Sequence, residues 1–322
     1  MSILPKVVLH PPFNVTRASH MTFTVSDLDR SLEFYTEVAG LILTERSDDT
    51  AFLRGVEEDA HHSLTLRQTR EKPVCEQIGF RVFTEDDLHA AETFFQGLGL
   101  EPRWVDVPYQ RKTLRVRSPQ GLPLEFCASM PIQERLHSFV NRQRGGAAMR
   151  LDHTQVGVTS VQDACEFFAS FGFMISDCST TPEGKMWSAF MRRKNNPHDI
   201  VLGTRAGPRL HHFAYITERE NLLRAGDAAR SLGYRESVEY GPSRHGQDHN
   251  NFLYFRDPDG HRFELTSHPI QIMDLDSLPI CREVTERDLF VPWGQPAPQS
   301  WHDEASEFAG EPVSPPLLQR TW

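Results

Sequence analysis

Residues Arg244 to Glu264 read RHGQDHNNFLYFRDPDGHRFE, and the rest of the chain is organised around them. Phe252 to Phe255 form an apolar strand. Asp257-Pro258-Asp259-Gly260 is a tight turn, because proline presets φ and glycine accepts positive φ. A second strand follows and ends on Glu264. A hairpin of this kind fixes an acidic side chain on a sheet face. Upstream, His153 in RLDHTQV and His212 in RLHHFAY each head an apolar strand. Two imidazoles and one carboxylate can occupy one face of an iron(II) ion and leave the opposite face open.

Outward from this stretch, one pattern recurs four times. A strand over His20 to Val25 leads to a Ser26-Asp27 helix start, a helix to Val38 and further strands to about Arg67. A second unit starts at Ile78, has a helix ending near Leu98-Gly99, and runs to Phe126. His153 to Val158 opens a third unit, and His211 opens a fourth that ends at Thr266. The halves overlay. His20 matches His153, Phe34 matches Phe167, His62 matches His198, Leu98-Gly99 matches Leu232-Gly233, and Glu125 matches Glu264. The separation drifts only slowly along the half, which indicates an internal duplication. On this overlay Gly79 stands where the second half has His212. Gly79 has no side chain to donate, so one half is equipped and the other is a scaffold.

The expected division is 1–149 as a non-catalytic N-terminal domain plus a helical linker, 150–266 as the metal-binding domain, and 267–322 as a largely irregular tail that covers the site. The expected class is α+β. The chain has 322 residues, 39% hydrophobic and 24% charged, which suits a soluble globular protein of two ordinary domains. A net charge of −10 argues against sequence-independent nucleic-acid binding, and no apolar run has the length of a membrane helix. The N-terminus lacks the long apolar centre of a signal peptide. The 5 cysteines are scattered and contain no C-x-x-C. A disulfide framework or thiolate zinc site is therefore not expected, and a cytoplasmic location fits.

Further candidates surround the hairpin. His198 follows Pro197 and opens the strand Asp199 to Leu202; an imidazole there can carry a proton near neutral pH. The competing reading is a turn-like surface histidine. Tyr254 shares a strand face with Phe252, so its hydroxyl can meet a metal-bound atom; a tyrosine in an apolar strand is otherwise core. His245 and His249 precede that strand and can line the same pocket.

These residues carry a resemblance. RLDHTQV, GPRLHHFAY and GPSRHG followed by NNFLYFRDPDGHRFEL resemble the type I extradiol catechol dioxygenases of the vicinal oxygen chelate superfamily. The matching signature is His245, Leu253-Tyr254, Asp257-Pro258, Gly260 and Glu264. SDLDRSLEFYTEVAGL, NNPHDIVL and WGQPAPQSWHDEAS are similar to the homoprotocatechuate 2,3-dioxygenases within that class. The resemblance implies a vicinal oxygen chelate fold, with four βαβββ modules in two tandem domains and curved mixed sheets. It implies Fe(II), or Mn(II) in some members, on His153, His212 and Glu264. His198 becomes an acid/base, and Tyr254 and His245 contact substrate and oxygen. Phe190, Tyr240, His249, Leu289 and Phe290 become substrate-binding positions. The implied partners are a catechol and O2, in a homo-oligomer, a tetramer by resemblance. Homoprotocatechuate enzymes read a carboxylate with arginines where this chain has Tyr240, Leu289 and Phe290, so a neutral or apolar ring substituent is expected. Arg282 and Arg287 lie nearby and could compensate. The alternatives are a homoprotocatechuate 2,3-dioxygenase proper and a non-oxygenase member that binds an aromatic ligand.

Overall fold

The computed structural model describes residues 3–286 and 290–320. Leu289 and Arg287 lie outside the described residues.

The alternation of strand and helix signals resolves into four copies of one module. The first is β1 (Val15–Val25), α1 (Leu28–Glu33) continued by a π-helical turn (Phe34–Val38), β2 (Ile42–Arg46), β3 (Thr50–Arg54) and β4 (Leu64–Gln68). The second is β5 (Cys75–Val82), α2 (Glu85–Gly97), β6 (Arg103–Val107), β7 (Gln110–Arg117) and β8 (Pro123–Cys127). The third is β9 (Arg150–Val158), α3 (Val161–Ser170), β10 (Met174–Thr180), β11 (Met186–Arg192) and β12 (Ile200–Thr204). The fourth is β13 (Arg209–Ile216), α4 (Arg219–Ser231), β14 (Val238–Arg244), β15 (Asn251–Arg256) and β16 (Arg262–Thr266). Asp27 caps α1 by accepting from the Arg30 amide, and Thr84 with Asp87 forms a capping box on α2.

Modules one and two form an eight-stranded sheet, β2-β3-β4-β1-β5-β8-β7-β6. Modules three and four form the centre of a ten-stranded sheet, β14-β15-β16-β13-β9-β12-β11-β10-β17, where β17 (Ile280–Glu283) comes from the tail. The tail also supplies a short helix, α5 (Gln299–Asp303), and β18 (Ser306–Glu307), which pairs with β13. In both sheets the two modules meet through antiparallel first strands, and each first strand carries a parallel partner from its neighbourhood. The halves share one buried core. Phe23 packs on Phe213 at 4.8 Å, Tyr35 donates to Asp257 at 2.9 Å, and the Ala18 amide donates to Asp199 at 2.7 Å.

Three expectations are corrected here. The stretch 131–149 is not helical apart from a 3-10 turn at Val140–Arg142. Its end instead wedges Gly145 and Gly146 against the Val38 carbonyl region, where a Cβ on Gly145 would come within 2.2 Å of the Val38 oxygen. Second, strand register moves the equivalence of the halves. Thr22 pairs with Gln77 as Gln155 pairs with His212, so Gln77, not Gly79, occupies the step of His212. Gly79 matches Ala214, and its missing side chain makes room for the His20 ring, which stands 2.3 Å from where its Cβ would be. Third, Cys178 on β10 and Cys281 on β17 form a disulfide. The tail's pairing as a sheet strand creates that proximity, and sequence spacing carries no trace of it. Among the described residues no helix is long and apolar enough to cross a membrane.

Candidate metal and aromatic-binding site

β9, β13 and β16 lie side by side in the second sheet, and each presents one polar side chain to the same point. His153 Nε2 is 3.3 Å from His212 Nε2, and Glu264 Oε2 is 3.4 Å from the first and 3.1 Å from the second. All three side chains are buried. Both Glu264 oxygens lack a hydrogen bond, although the imidazole nitrogens approach so closely. Leaving a buried carboxylate this way is costly unless a cation is held there.

The surrounding groups fix the tautomers. His211 Nε2–H donates to the Trp301 carbonyl at 2.7 Å, which leaves its Nδ1 to accept from His212 Nδ1–H, also at 2.7 Å. Burial keeps His211 well below the usual histidine range, in the neutral form this relay needs. His212 therefore aims an Nε2 lone pair at Glu264. His153 Nδ1–H donates to Asp152 at 2.8 Å, giving its Nε2 the same aim. Burial opposes positive charge at His153, yet Asp152 and Glu264 outweigh it and raise its pKa to about 9. Burial lowers His212 to about 4. At Glu264 burial pushes upward, but His153, His212 and His245 hold the carboxyl well below its ordinary range. The site favours positive charge at its centre. Its donor set, two imidazoles and one carboxylate on one side, fits a divalent transition metal with open positions.

Around this centre lies a cavity of about 980 Å³. His198 lines it, buried rather than on a surface loop, with its ring 4.1 Å from His153 and 5.3 Å from Phe190. Its Nδ1 has no hydrogen bond and stands 3.5 Å from Asp248 Oδ2. Burial holds His198 well below the usual range and pushes Asp248 up to about 7. Tyr254 and His245 meet at 3.2 Å, and His245 Nε2 is 3.4 Å from Glu264 Oε1. Tyr240, Phe252 and Tyr254 form an apolar wall completed by Ala297 and Trp301 of the tail. Phe190, Tyr240 and Phe290 line the cavity.

His249 does not. It is exposed, has φ +60, and turns toward the Arg244 guanidinium at 2.9 Å. Asp248 points inward at this bend, so its neighbour points out. Arg282 is engaged in an ion pair with Asp177 on β10. His211, the residue before His212, would face the other side of a regular strand. A register shift between Leu210 and His212 brings it beside His212 instead. Asp152, Asp248, Trp301 and Arg205 went unrecognised. For Asp152 a signal existed, since a carboxylate next to a candidate ligand histidine can orient it.

Residues 17–126 and 150–265 match the Glyoxalase/Bleomycin resistance protein/Dioxygenase superfamily. The chain is 30% identical over 284 residues to the manganese-dependent 2,3-dihydroxybiphenyl 1,2-dioxygenase of Geobacillus genomosp. 3, covering 83% of this chain and 89% of the relative. Among solved structures it is similar to homoprotocatechuate 2,3-dioxygenase from Arthrobacter globiformis, with TM-score 0.91, 31% identity and coverage of 97% and 99%. The Brevibacterium fuscum enzyme in complex with 3,4-dihydroxyphenylacetate gives TM-score 0.90, 32% identity and coverage of 94% and 96%.

Proposed function

The chain belongs to the Glyoxalase/Bleomycin resistance protein/Dioxygenase superfamily and is an extradiol ring-cleaving dioxygenase, and from that premise we propose that it opens a catechol whose substituent is apolar where it leaves the ring. The observation that carries this is the convergence of His153, His212 and Glu264 beside buried His198, under the wall of Tyr240, Phe252 and Trp301.

In this reading His153, His212 and Glu264 hold Fe(II) or Mn(II). The metal, when bound, supplies the electron-transfer chemistry that lets a catechol react with O2. The protein contributes placement and proton handling. The −1 charge of the triad leaves net positive charge for an anionic catechol. His198 takes a proton from a ring hydroxyl and returns it as the ring opens; its depressed pKa keeps it neutral and ready to accept. Asp248 faces its Nδ1 and stabilises the charged imidazole while it carries that proton. Tyr254 and His245, which meet at 3.2 Å, would offer hydrogen bonds to the oxygen atoms of a bound catechol. The aromatic wall excludes water and holds the ring in place.

Tyr240 and Phe290 line the cavity where the resemblance would place cations. An alkyl group gains about 0.8 kcal/mol per buried methylene there, while an unpaired carboxylate pays for its desolvation. The Geobacillus relative is named for an aryl-substituted catechol, a substituent of the kind this wall accepts.

Oxygen uptake by the metal-loaded enzyme, with product absorbance, tests both parts. The specificity constant for 4-methylcatechol is expected to exceed that for 3,4-dihydroxyphenylacetate by about tenfold or more. A reversed order defeats the apolar assignment. No uptake with any catechol defeats the oxygenase assignment.

A further inference from the structure

The end of β12 carries an arginine that the chemistry above does not use. On the cavity side of the sheet, the residues beyond His153 are Gln155 on β9 and Val201 and Gly203 on β12, and Arg205 comes next. Gly203 pairs with Gly157 across the two strands. A Cβ on Gly157 would press on Arg205 Cβ at 2.9 Å, and one on Gly203 would stand 3.3 Å from Gln155 Nε2 and 4.0 Å from Arg205 Nε. Two facing glycines thus clear a shelf over which the Arg205 side chain lies, with its head at the cavity.

The head is not neutralised. Nη1 donates to the carbonyls of Trp301 and His302, and the guanidinium lies 5.2 Å from the centre of the Trp301 ring. Among the described residues no carboxylate forms an ion pair with it. Asp303, the nearby acid, accepts instead from Gln299 at 2.8 Å. Neighbouring arginines are treated differently. Arg262 and Arg256 both bind Glu239, and Arg282 binds Asp177. Burial, with Arg262 and Arg209 adding repulsion, lowers Arg205 to about 10, so it stays charged at neutral pH. Arg209 and Arg320 also line the cavity, as do the carboxylates of Asp248 and Asp303. A part-buried cation facing a ligand cavity without a counter-ion is a built receptor for an anion.

We propose that Arg205 reads a carboxylate at the far end of the ring substituent, so that the substrate class is a catechol bearing an apolar spacer that ends in a carboxylate. This rests on the catechol-binding reading of the site and deepens it. The distance is set by the strands. From His153 to the Gly157–Gly203 row is four residues of β9, roughly 13 Å at ~3.3 Å per residue. A carboxylate attached close to the ring meets Tyr240 and Phe290, whereas one on a longer chain passes Trp301 and reaches Arg205. The cation comes from the end of β12 rather than from the positions of Tyr240, Leu289 and Phe290.

The test is anaerobic calorimetry on the metal-loaded enzyme with 3,4-dihydroxyphenylbutanoate and its methyl ester, which differ only in the terminal charge. The acid is expected to bind about tenfold to hundredfold more tightly at low salt, the range for a charge-assisted hydrogen bond. High salt shrinks that ratio by screening. In Arg205→Met the ratio is expected to collapse toward one, and in Arg205→Lys to recover in part. An ester that binds as well as the acid to the wild-type enzyme overturns the proposal. So does an Arg205→Met variant with normal melting behaviour and an undiminished ratio. If that variant does not fold, the wild-type salt dependence decides: a ratio indifferent to salt overturns it. Binding is read without oxygen, so failure of ring cleavage with every catechol indicts the catalytic reading and leaves this result separately legible.

Discussion

A single carboxylate shows what the two halves made of the same scaffold. Glu264 has three imidazoles around it and no hydrogen bond, whereas Glu125, its counterpart, is consumed. Glu125 accepts from His20 at 2.7 Å, Gln110 at 3.0 Å and Arg115 at 2.6 Å. Metal is therefore expected at one place per chain. In His212→Ala and Glu264→Ala, metal content measured by elemental analysis should fall to near zero. His20→Ala should keep its metal but lose about 3 kcal/mol of stability in a denaturant melt, because Glu125 loses its closest buried partner. Full metal content in the first two variants would remove the assignment. His198 belongs to the same scale. It touches His153 by ring contact only, so His198→Phe should bind metal normally and turn over roughly a hundredfold more slowly or worse. Metal loss in that variant would place His198 among the ligands.

At the scale of elements, the hairpin of β15 and β16 and the docked tail make one unit. Arg262 ties them together, donating to Glu239 on β14, to the His211 carbonyl on β13, and to the Ser300 and Glu304 carbonyls at α5. Arg256 and the Ser300 hydroxyl also reach Glu239. Trp301 on α5 in turn accepts the His211 proton that fixes His212, so tail docking sets the tautomer that aims His212 Nε2 at Glu264. Burial works against the charge on Glu239, but Arg262 and Arg256 prevail and lower it to about 2 from 4.5. A depressed carboxylate stabilises the fold above its unfolded pKa, and that stability is lost as pH falls through the folded value. Wild-type protein is therefore expected to lose on the order of 2–3 kcal/mol between about pH 4.5 and 2 from this group. Glu239→Gln should start less stable at neutral pH and show a flatter acid limb in thermal melts. An identical acid limb in both proteins would show that this network does not couple tail and sheet. The hairpin itself was readable from Pro258, Gly260 and the period of the apolar residues. The network was not, because Glu239, Arg262 and Ser300 meet only after the tail folds back.

For the molecule as a whole, what could be read from sequence and what could not divide along contact range. Strand and helix order, the fourfold module and the convergence of His153, His212 and Glu264 follow from local periodicity repeated at a near-constant spacing. The one-residue bulges that interrupt the β1–β5 and β9–β13 ladders leave no local mark, so an overlay by sequence sets Gly79 against His212 in place of Gln77. His249, expected in the pocket, turns outward while Asp248 lines it, and the left-handed backbone at His249 leaves no mark in the sequence pattern. The scattered cysteines are the clearest case. Cys178 and Cys281 are 103 residues apart and meet only because β17 adds as a parallel strand at the edge of the sheet. Beyond β17 the chain contributes Val284, Phe290, Val291 and Gly294 to the cavity lining, so the bridge anchors the start of a cavity wall. Linking residues so far apart restricts the unfolded chain, an effect of about 2–4 kcal/mol for such a loop. Cys281→Ser is then expected to melt several degrees below the oxidised wild type and to bind catechol more weakly through a less ordered wall. Dithiothreitol should lower the wild-type midpoint to that of the variant while leaving the variant itself unmoved. Equal midpoints for oxidised wild type and Cys281→Ser would mean that β17 is held by its backbone pairing and the Arg282–Asp177 ion pair alone.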